Sequence, residues 1–251
     1  MHRRGILVAA AAAMLAGCQK TTAPAGLIVG SSATGVPFSF IDPRTNRLTG
    51  AMVDIMDAVA KAAGTSAEMR TVPFAALIPS LTAHKIDVIA AAMVKTAARE
   101  KIVAFSDPVY AYGGGLVVAA AGRLAPLHLS DLRGKRVGAQ VGTVFLTQLQ
   151  DAGVSDVVSY DSLSDILRDL VHGRLEAGYG DAPILAYQLR VNPQPQLRSV
   201  EGFQPPAAQD VCFVLRKGDP LVTRLNAAIA QVKGGELTQI LDHWKLDRGP
   251  A

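Results

Sequence analysis

Two side chains in this sequence have the character to hold a charged small molecule. The first is Arg99, in "AAMVKTAARE" (91–100). An apolar run ends there, and Thr96 is placed to cap a helix that Ala97 and Ala98 begin. Free N–H groups and the positive dipole end at a helix start favour an anion over a cation. A ligand carboxylate would resolve the conflict by taking a bidentate pair from Arg99 and backbone donors beside it. A surface ion pair is the plainer alternative. The second is Asp181, in "EAGYGDAPILAY" (176–187), where a strand pattern turns into a helix. It could hold an ammonium, or it could cap the helix ahead of Pro183. A third strand-to-helix turn, "GAQVGTVFL" (138–146), offers Thr143 and helix-start N–H groups. Together the three loops would read a zwitterion.

Other chemistry is not supplied. The five histidines (His2, His84, His128, His172, His243) are dispersed, with no metal-ligand spacing. There is no GxSxG elbow and no Walker-type loop, and Gly134, Gly138 and Gly142 recur without making GxGxxG. Asp107-Pro108 reads as a turn. No nucleophile, metal or cofactor is nominated, and the chain is expected not to be an enzyme.

The elements that must position these loops follow from pattern. Strands are expected at 27–30, 67–72, 86–90, 115–119, 136–139, 155–159, 174–180 and 211–215. Helices are expected around 53–60 (closed by Gly64), 75–84, 143–152, 162–172, 183–190, 221–233 and 236–244. Such alternation argues for α/β layers with mostly parallel sheets flanked by helices. Glycines at 113–115 and the Pro-Pro-Ala-Ala stretch inside 204–209 mark two crossings. The expected organisation is lobe 1 at 26–111 and 210–251, lobe 2 at 112–209, with the cleft between them.

The chain has 251 residues, enough for two small lobes. Aromatics make up only 5%, which argues against base stacking and nucleic-acid binding. The formal charge of +4 includes Arg3 and Arg4; without them 23 basic residues face 21 acidic ones. Those two arginines begin "MHRRGILVAAAAAMLAGCQK", whose apolar run is too short to span a bilayer. It reads as a signal segment, 1–17. Leu15-Ala16-Gly17-Cys18 resembles a bacterial lipobox, making Cys18 the lipidated first residue before a linker at 18–25. A plain secretory signal with an incidental cysteine is the other reading. Cys212, alone in an apolar run, reads as a small buried hydrophobe.

The chain resembles the bacterial extracellular solute-binding proteins of the polar amino-acid ABC-uptake type. Stretches in the family's order are "VPFSF" (36–40), "LTGAMVDIMDAVAKAAG" (48–64), "FAALIPSLTAHKIDVIAAAM" (74–93), "TAAREKIVAFSDPVY" (96–110), "DLRGKRVGAQVGT" (131–143), "VHGRLEAGYGDAPIL" (171–185) and "VLRKGDPLVTRLNAAI" (214–229). The resemblance implies a two-lobed, type II-like periplasmic binding protein. It assigns Arg99 to the ligand's α-carboxylate and Asp181 to its α-amino group. Phe74 becomes a wall for the side chain, Thr143 and Val144 donors from the second lobe, and Gln140 a residue just behind them. Met93, Val94 and Ser32 border the same pocket. Val94 stands where many members carry a hydroxyl, which removes one carboxylate contact. Ser32 and Gly35 stand where an acid and an aromatic lid are common, which disfavours a cationic side chain and adds room. Lys95 either reaches solvent or offers a second anion site.

The implied function is capture of an amino-acid-like zwitterion by hinge closure. A monomeric, lipid-anchored periplasmic protein would deliver it to an inner-membrane ABC permease. A cyclohexadienyl dehydratase-like enzyme on the same fold is one alternative, with Asp181 as general acid. A ligand-sensing accessory protein is another.

Overall fold

The computed structural model describes residues 26–246; the N-terminal apolar segment and Cys18 lie outside them. In chain order the strands are β1 (Leu27–Ser31), β2 (Thr34–Gly35), β3 (Ser39–Asp42), β4 (Arg47–Thr49), β5 (Ala67–Thr71), β6 (Val88–Ile89) and β7 (Val103–Tyr112). They continue as β8 (Gly114–Ala119), β9 (Arg136–Gln140), β10 (Asp156–Tyr160), β11 (Ala177–Asp181), β12 (Leu197–Ser199) and β13 (Gln209–Arg216). The helices are α1 (Ala51–Ala62), α2 (Leu77–Thr82), α3 (Ala97–Glu100), α4 (Val144–Asp151), α5 (Leu163–Val171), α6 (Ala182–Val191), α7 (Leu221–Val232) and α8 (Glu236–His243).

Two five-stranded sheets carry the lobes, ordered β5-β1-β6-β13-β7 and β10-β9-β11-β8-β12. Each is mixed rather than mostly parallel. In the first, β5–β1 and β1–β6 are parallel while β6–β13 and β13–β7 are antiparallel. The second repeats the arrangement, with β10–β9 and β9–β11 parallel, then β11–β8 and β8–β12 antiparallel. The cause lies in the connections. Parallel neighbours are joined through helices, whereas β7 and β13 pass between lobes without a helical crossover and so run against each other. They pair from Gln209↔Tyr112 to Arg216↔Val103, with register shifts around Cys212. A small antiparallel sheet, β2-β3-β4, occupies a segment between β1 and α1 where sequence pattern marks no strand. The helix expected over 75–84 is shorter: a 3-10 turn at Phe74–Ala76 precedes α2, between Pro73 and the left-handed His84.

Helix faces explain the layers. On α1, Met52, Ile55, Met56 and Val59 recur at helical spacing and are buried. On α5, Leu163, Ile166, Leu167 and Leu170 do the same behind a Ser162 cap that accepts the Asp165 N–H at 3.2 Å. The C-terminal α8 docks on α1 through Trp244, whose Nε1 donates to Asp54 at 2.7 Å while its ring meets the edge of Phe40. Cys212 is buried in β13, and burial pushes its thiol up to about 12.

One glycine here has no substitute. Gly50, the N-cap of α1, has φ of 128°, and a Cβ there would overlap the Phe38 carbonyl. Gly50→Ala is expected to cost at least about 2 kcal/mol of stability. A melting temperature equal to wild type would contradict that reading.

Candidate functional site

The loops that leave the carboxyl ends of β1, β6, β9 and β11 converge between the two sheets, where open α/β folds place ligands. Tyr112, the last residue of β7, stands among them at the crossing.

Arg99 approaches from lobe 1. Thr96 caps α3 as expected, its Oγ1 accepting the Arg99 N–H at 3.2 Å. The expected conflict with a helix dipole is smaller than the sequence implies, because α3 is only four residues long. The side chain turns instead into the seam. Nη1 donates to the Val94 carbonyl at 2.6 Å, and Nη2 reaches across to the Gly142 carbonyl of lobe 2 at 2.9 Å. Its Cζ lies 6.0 Å from the Phe74 ring centroid, at the limit of a cation–π contact. Burial lowers its pKa, and Tyr112 and Asp181 oppose that; a guanidinium stays charged. Lys95 is not a second free cation, since it pairs with Glu100 at 2.9 Å.

Asp181 approaches from lobe 2, at the end of β11 and the start of α6. Its carboxyl makes no capping bond to α6. It is 7% exposed and accepts the Tyr112 hydroxyl. Burial raises its pKa from 3.8 to about 6, against the opposing pull of the Tyr112 hydrogen bond and the Arg99 charge. Tyr112 is itself clamped, its ring centroid 5.6 Å from Phe38 and 6.5 Å from Phe145, and its pKa is driven well above the usual value by burial.

Ser32, Phe74, Gln140, Thr143 and Asp181 come together on one small cavity of about 20 Å3, the room of a single water. A larger cavity of about 340 Å3 continues outward over Ser32, Phe74 and Gln140 to the exposed rim residue Asp161. Gln140 ties the lobes by donating to Thr34 Oγ1 at 3.1 Å, and within its own lobe it donates to the Asp161 carbonyl at 2.9 Å. The Thr143 hydroxyl is spent within its own loop, on the Gln140 carbonyl at 2.7 Å. The remaining named residues turn inward. Met93 packs among Leu77, Leu81 and Val103. Val94 is buried in the main core and bridges Val211, offering the site only its carbonyl. Val144 packs half-buried against the same core. Met93 and Val94 thus turn their side chains into the core, while Val144, expected as a backbone donor, opens α4 beside the site.

Sequence reasoning missed Tyr112, the Gly142 carbonyl and the Ala92 carbonyl. Backbone acceptors leave no trace in residue type, and Tyr112 is legible only as part of a glycine-rich crossing. Among the described residues no cluster of potential metal ligands occurs, and no helix is long and apolar enough to cross a membrane.

Residues 27–247 match the model of the bacterial extracellular solute-binding proteins, family 3. ABC transporter arginine-binding protein 1 of Escherichia coli (strain K12) is 31% identical over 219 residues, covering 86% of this chain and 88% of that protein. An ancestral arginine-binding protein bound to arginine superposes with a TM-score of 0.81 at 32% identity, over 88% of this chain and 99% of that one. A mutant of ArgBP from T. maritima gives a TM-score of 0.81 at 30% identity, over 87% and 94%. Sequence, fold and the meeting of loops between two lobes agree: this chain belongs to the bacterial extracellular solute-binding proteins, family 3.

Proposed function

We propose that this chain is the amino-acid-binding component of an ABC transporter, gripping a zwitterion between its lobes. The observation that carries the reading is a half-buried guanidinium and a buried carboxyl brought by opposite lobes to one seam, lined otherwise by neutral groups. The ligand's carboxylate would take Arg99, replacing the Gly142 carbonyl on Nη2, and its ammonium would take Asp181. Its side chain would extend along Phe74 into the outer cavity, whose inner lining is hydroxyl, amide and aromatic. The named relatives bind arginine; here a cationic side chain would have to reach Asp161 at the rim to find an acid.

Binding would work by hinge closure about the two crossings near 110–114 and 204–210. Contacts to both lobes exist only when the lobes are together, so the ligand shifts the population toward that state. Saturation with a bound amino acid should then shrink the radius of gyration in small-angle scattering. An unchanged radius with ligand bound would contradict closure.

The Leu15–Cys18 motif supports a lipid anchor holding a monomer at the periplasmic membrane surface, beside its permease. Cys18→Ser is expected to move the protein from the membrane fraction to the soluble periplasm. Wild-type protein already soluble, with an N-terminus other than Cys18, would remove the anchor.

Arg99 and Asp181 give the decisive test. Arg99→Ala and Asp181→Asn should each weaken binding of the L-amino acid that stabilises wild type most in a panel of twenty. The expected loss is about 2–5 kcal/mol, roughly 30-fold to several-thousand-fold in Kd. Arg99→Ala also deprives two carbonyls of their donor, so about 1–3 kcal/mol of stability should go with it. Full-affinity binding by either variant sinks that residue's assignment. The raised Asp181 carboxyl also suits a general acid, so the same preparations are to be tried for turnover of prephenate and arogenate, and none is expected.

A further inference from the structure

The hydroxyl of Tyr112 has two acceptors and one proton. Its Oη lies 2.9 Å from the Ala92 carbonyl and also hydrogen-bonds Asp181 Oδ1. A phenol O–H can be given to only one of them. All three groups are buried, so an acceptor left without a hydrogen is costly. Nor can the partners drift apart. Ala92 holds a left-handed φ of 51°, unusual for a residue with a Cβ, and the Tyr112 ring is held by Phe38 and Phe145. One additional proton satisfies every group. A neutral Asp181 donates its O–H to Oη, and Oη donates to the Ala92 carbonyl.

We propose that Tyr112 is the positioning residue of the ammonium site and shares a proton with Asp181, so that ligand capture releases that proton. Below about pH 6, where Asp181 keeps its proton, the relay in the free site runs Asp181 to Tyr112 to Ala92. When an ammonium arrives, the carboxyl proton passes to water, the Tyr112 O–H turns to the carboxylate, and an N–H of the ammonium takes over the Ala92 carbonyl, which lines the same cavity. The ammonium then balances the new negative charge. This rests on the assignment of Asp181 to the ligand's ammonium.

The groups facing Asp181 permit the exchange. Among the described residues, Arg99 from α3 is the fixed charge acting on it, and it favours ionisation. Tyr112 ends β7, Tyr110 lies with its ring 6.2 Å from that of Tyr112, and Tyr179 sits two residues back on β11. Ser32, Ser39, Gln140 and Thr143, which share the cavity, are neutral. Burial outweighs Arg99, and the carboxyl rises to about 6. The sign follows: Asp181 is neutral below about pH 6, so affinity for an ammonium falls as the pH drops through that value.

Carboxyl carbon NMR of ligand-free protein, labelled at aspartate, tests the relay without a ligand. One carboxyl should titrate near pH 6 and be missing in Asp181→Asn. In Tyr112→Phe the ionised carboxyl loses its donor, and its midpoint should move upward. A wild-type midpoint near 4, or one unmoved by Tyr112→Phe, overturns the proposal. Calorimetry with L-arginine and L-glutamine, in buffers of different ionisation enthalpy, then counts protons. For whichever binds, wild type should release close to one proton at pH 5 and bind about tenfold more weakly there than at pH 7. Binding with no proton released at pH 5 also overturns it. If none of the twenty L-amino acids binds at all, the amino-acid reading falls and takes the coupling to ligand with it. The NMR titration still decides whether Tyr112 and Asp181 share the proton.

Discussion

A guanidinium and a carboxyl are held in a seam from which most water is excluded, and neither can remain there without neighbours that answer its charge. Burying an isolated ion is among the costliest acts in a folded protein. Arg99 is answered by two carbonyls, one from each lobe, and by the face of Phe74. Asp181 is answered by a phenol and by a raised proton affinity. The rest of the molecule can be understood as the scaffold for this compensation. Two mixed sheets aim their loops at the seam, and the paired strands β7 and β13 carry the chain across it.

The two lobes contribute unequally. Lobe 1 supplies the cation on a single helical turn, with the side chain held by the Val94 and Gly142 carbonyls. Lobe 2 supplies the anion where β11 meets α6, a fixed corner with Pro183 in the first turn. Gly142 lets the opposing loops come close: its φ is 77°, and a Cβ would stand 2.9 Å from the Ala75 Cα of the other lobe. The seam is thus shut by backbone as much as by side chains.

Much of this was legible in the sequence because apolar spacing dictates it. The stripes of α1 and α5, the closing of α1 at Gly64, and the alternation of strand and helix all follow from burial of one face. Sheet direction was not legible: glycines and prolines marked the crossings, but 103–112 carried no strand signal, so its antiparallel pairing with β13 stayed hidden. At the site, Arg99 and Asp181 stood out as charges in awkward places, and Phe74, Ser32, Gln140 and Thr143 do lie on the same small cavity. Met93, Val94 and Val144 border the loops in sequence, but their side chains are drawn into the core. Tyr112 was hidden because its role depends on what its ring and hydroxyl meet in three dimensions.

The position of Trp244 has a practical consequence. It is the chain's one tryptophan, and both its anchors, Asp54 and Phe40, are side chains of lobe 1 that do not line the cavity. Emission excited in the indole band therefore reports on the docking of α8 against α1 and is a poor witness to events between the lobes. The chromophore that does stand at the seam is a phenol, Tyr112 beside Asp181, whereas Tyr179 is buried in lobe 2 and hydrogen-bonded to Gln148 at 2.6 Å. Ultraviolet difference absorption near the tyrosine band is where occupancy of this protein should become visible.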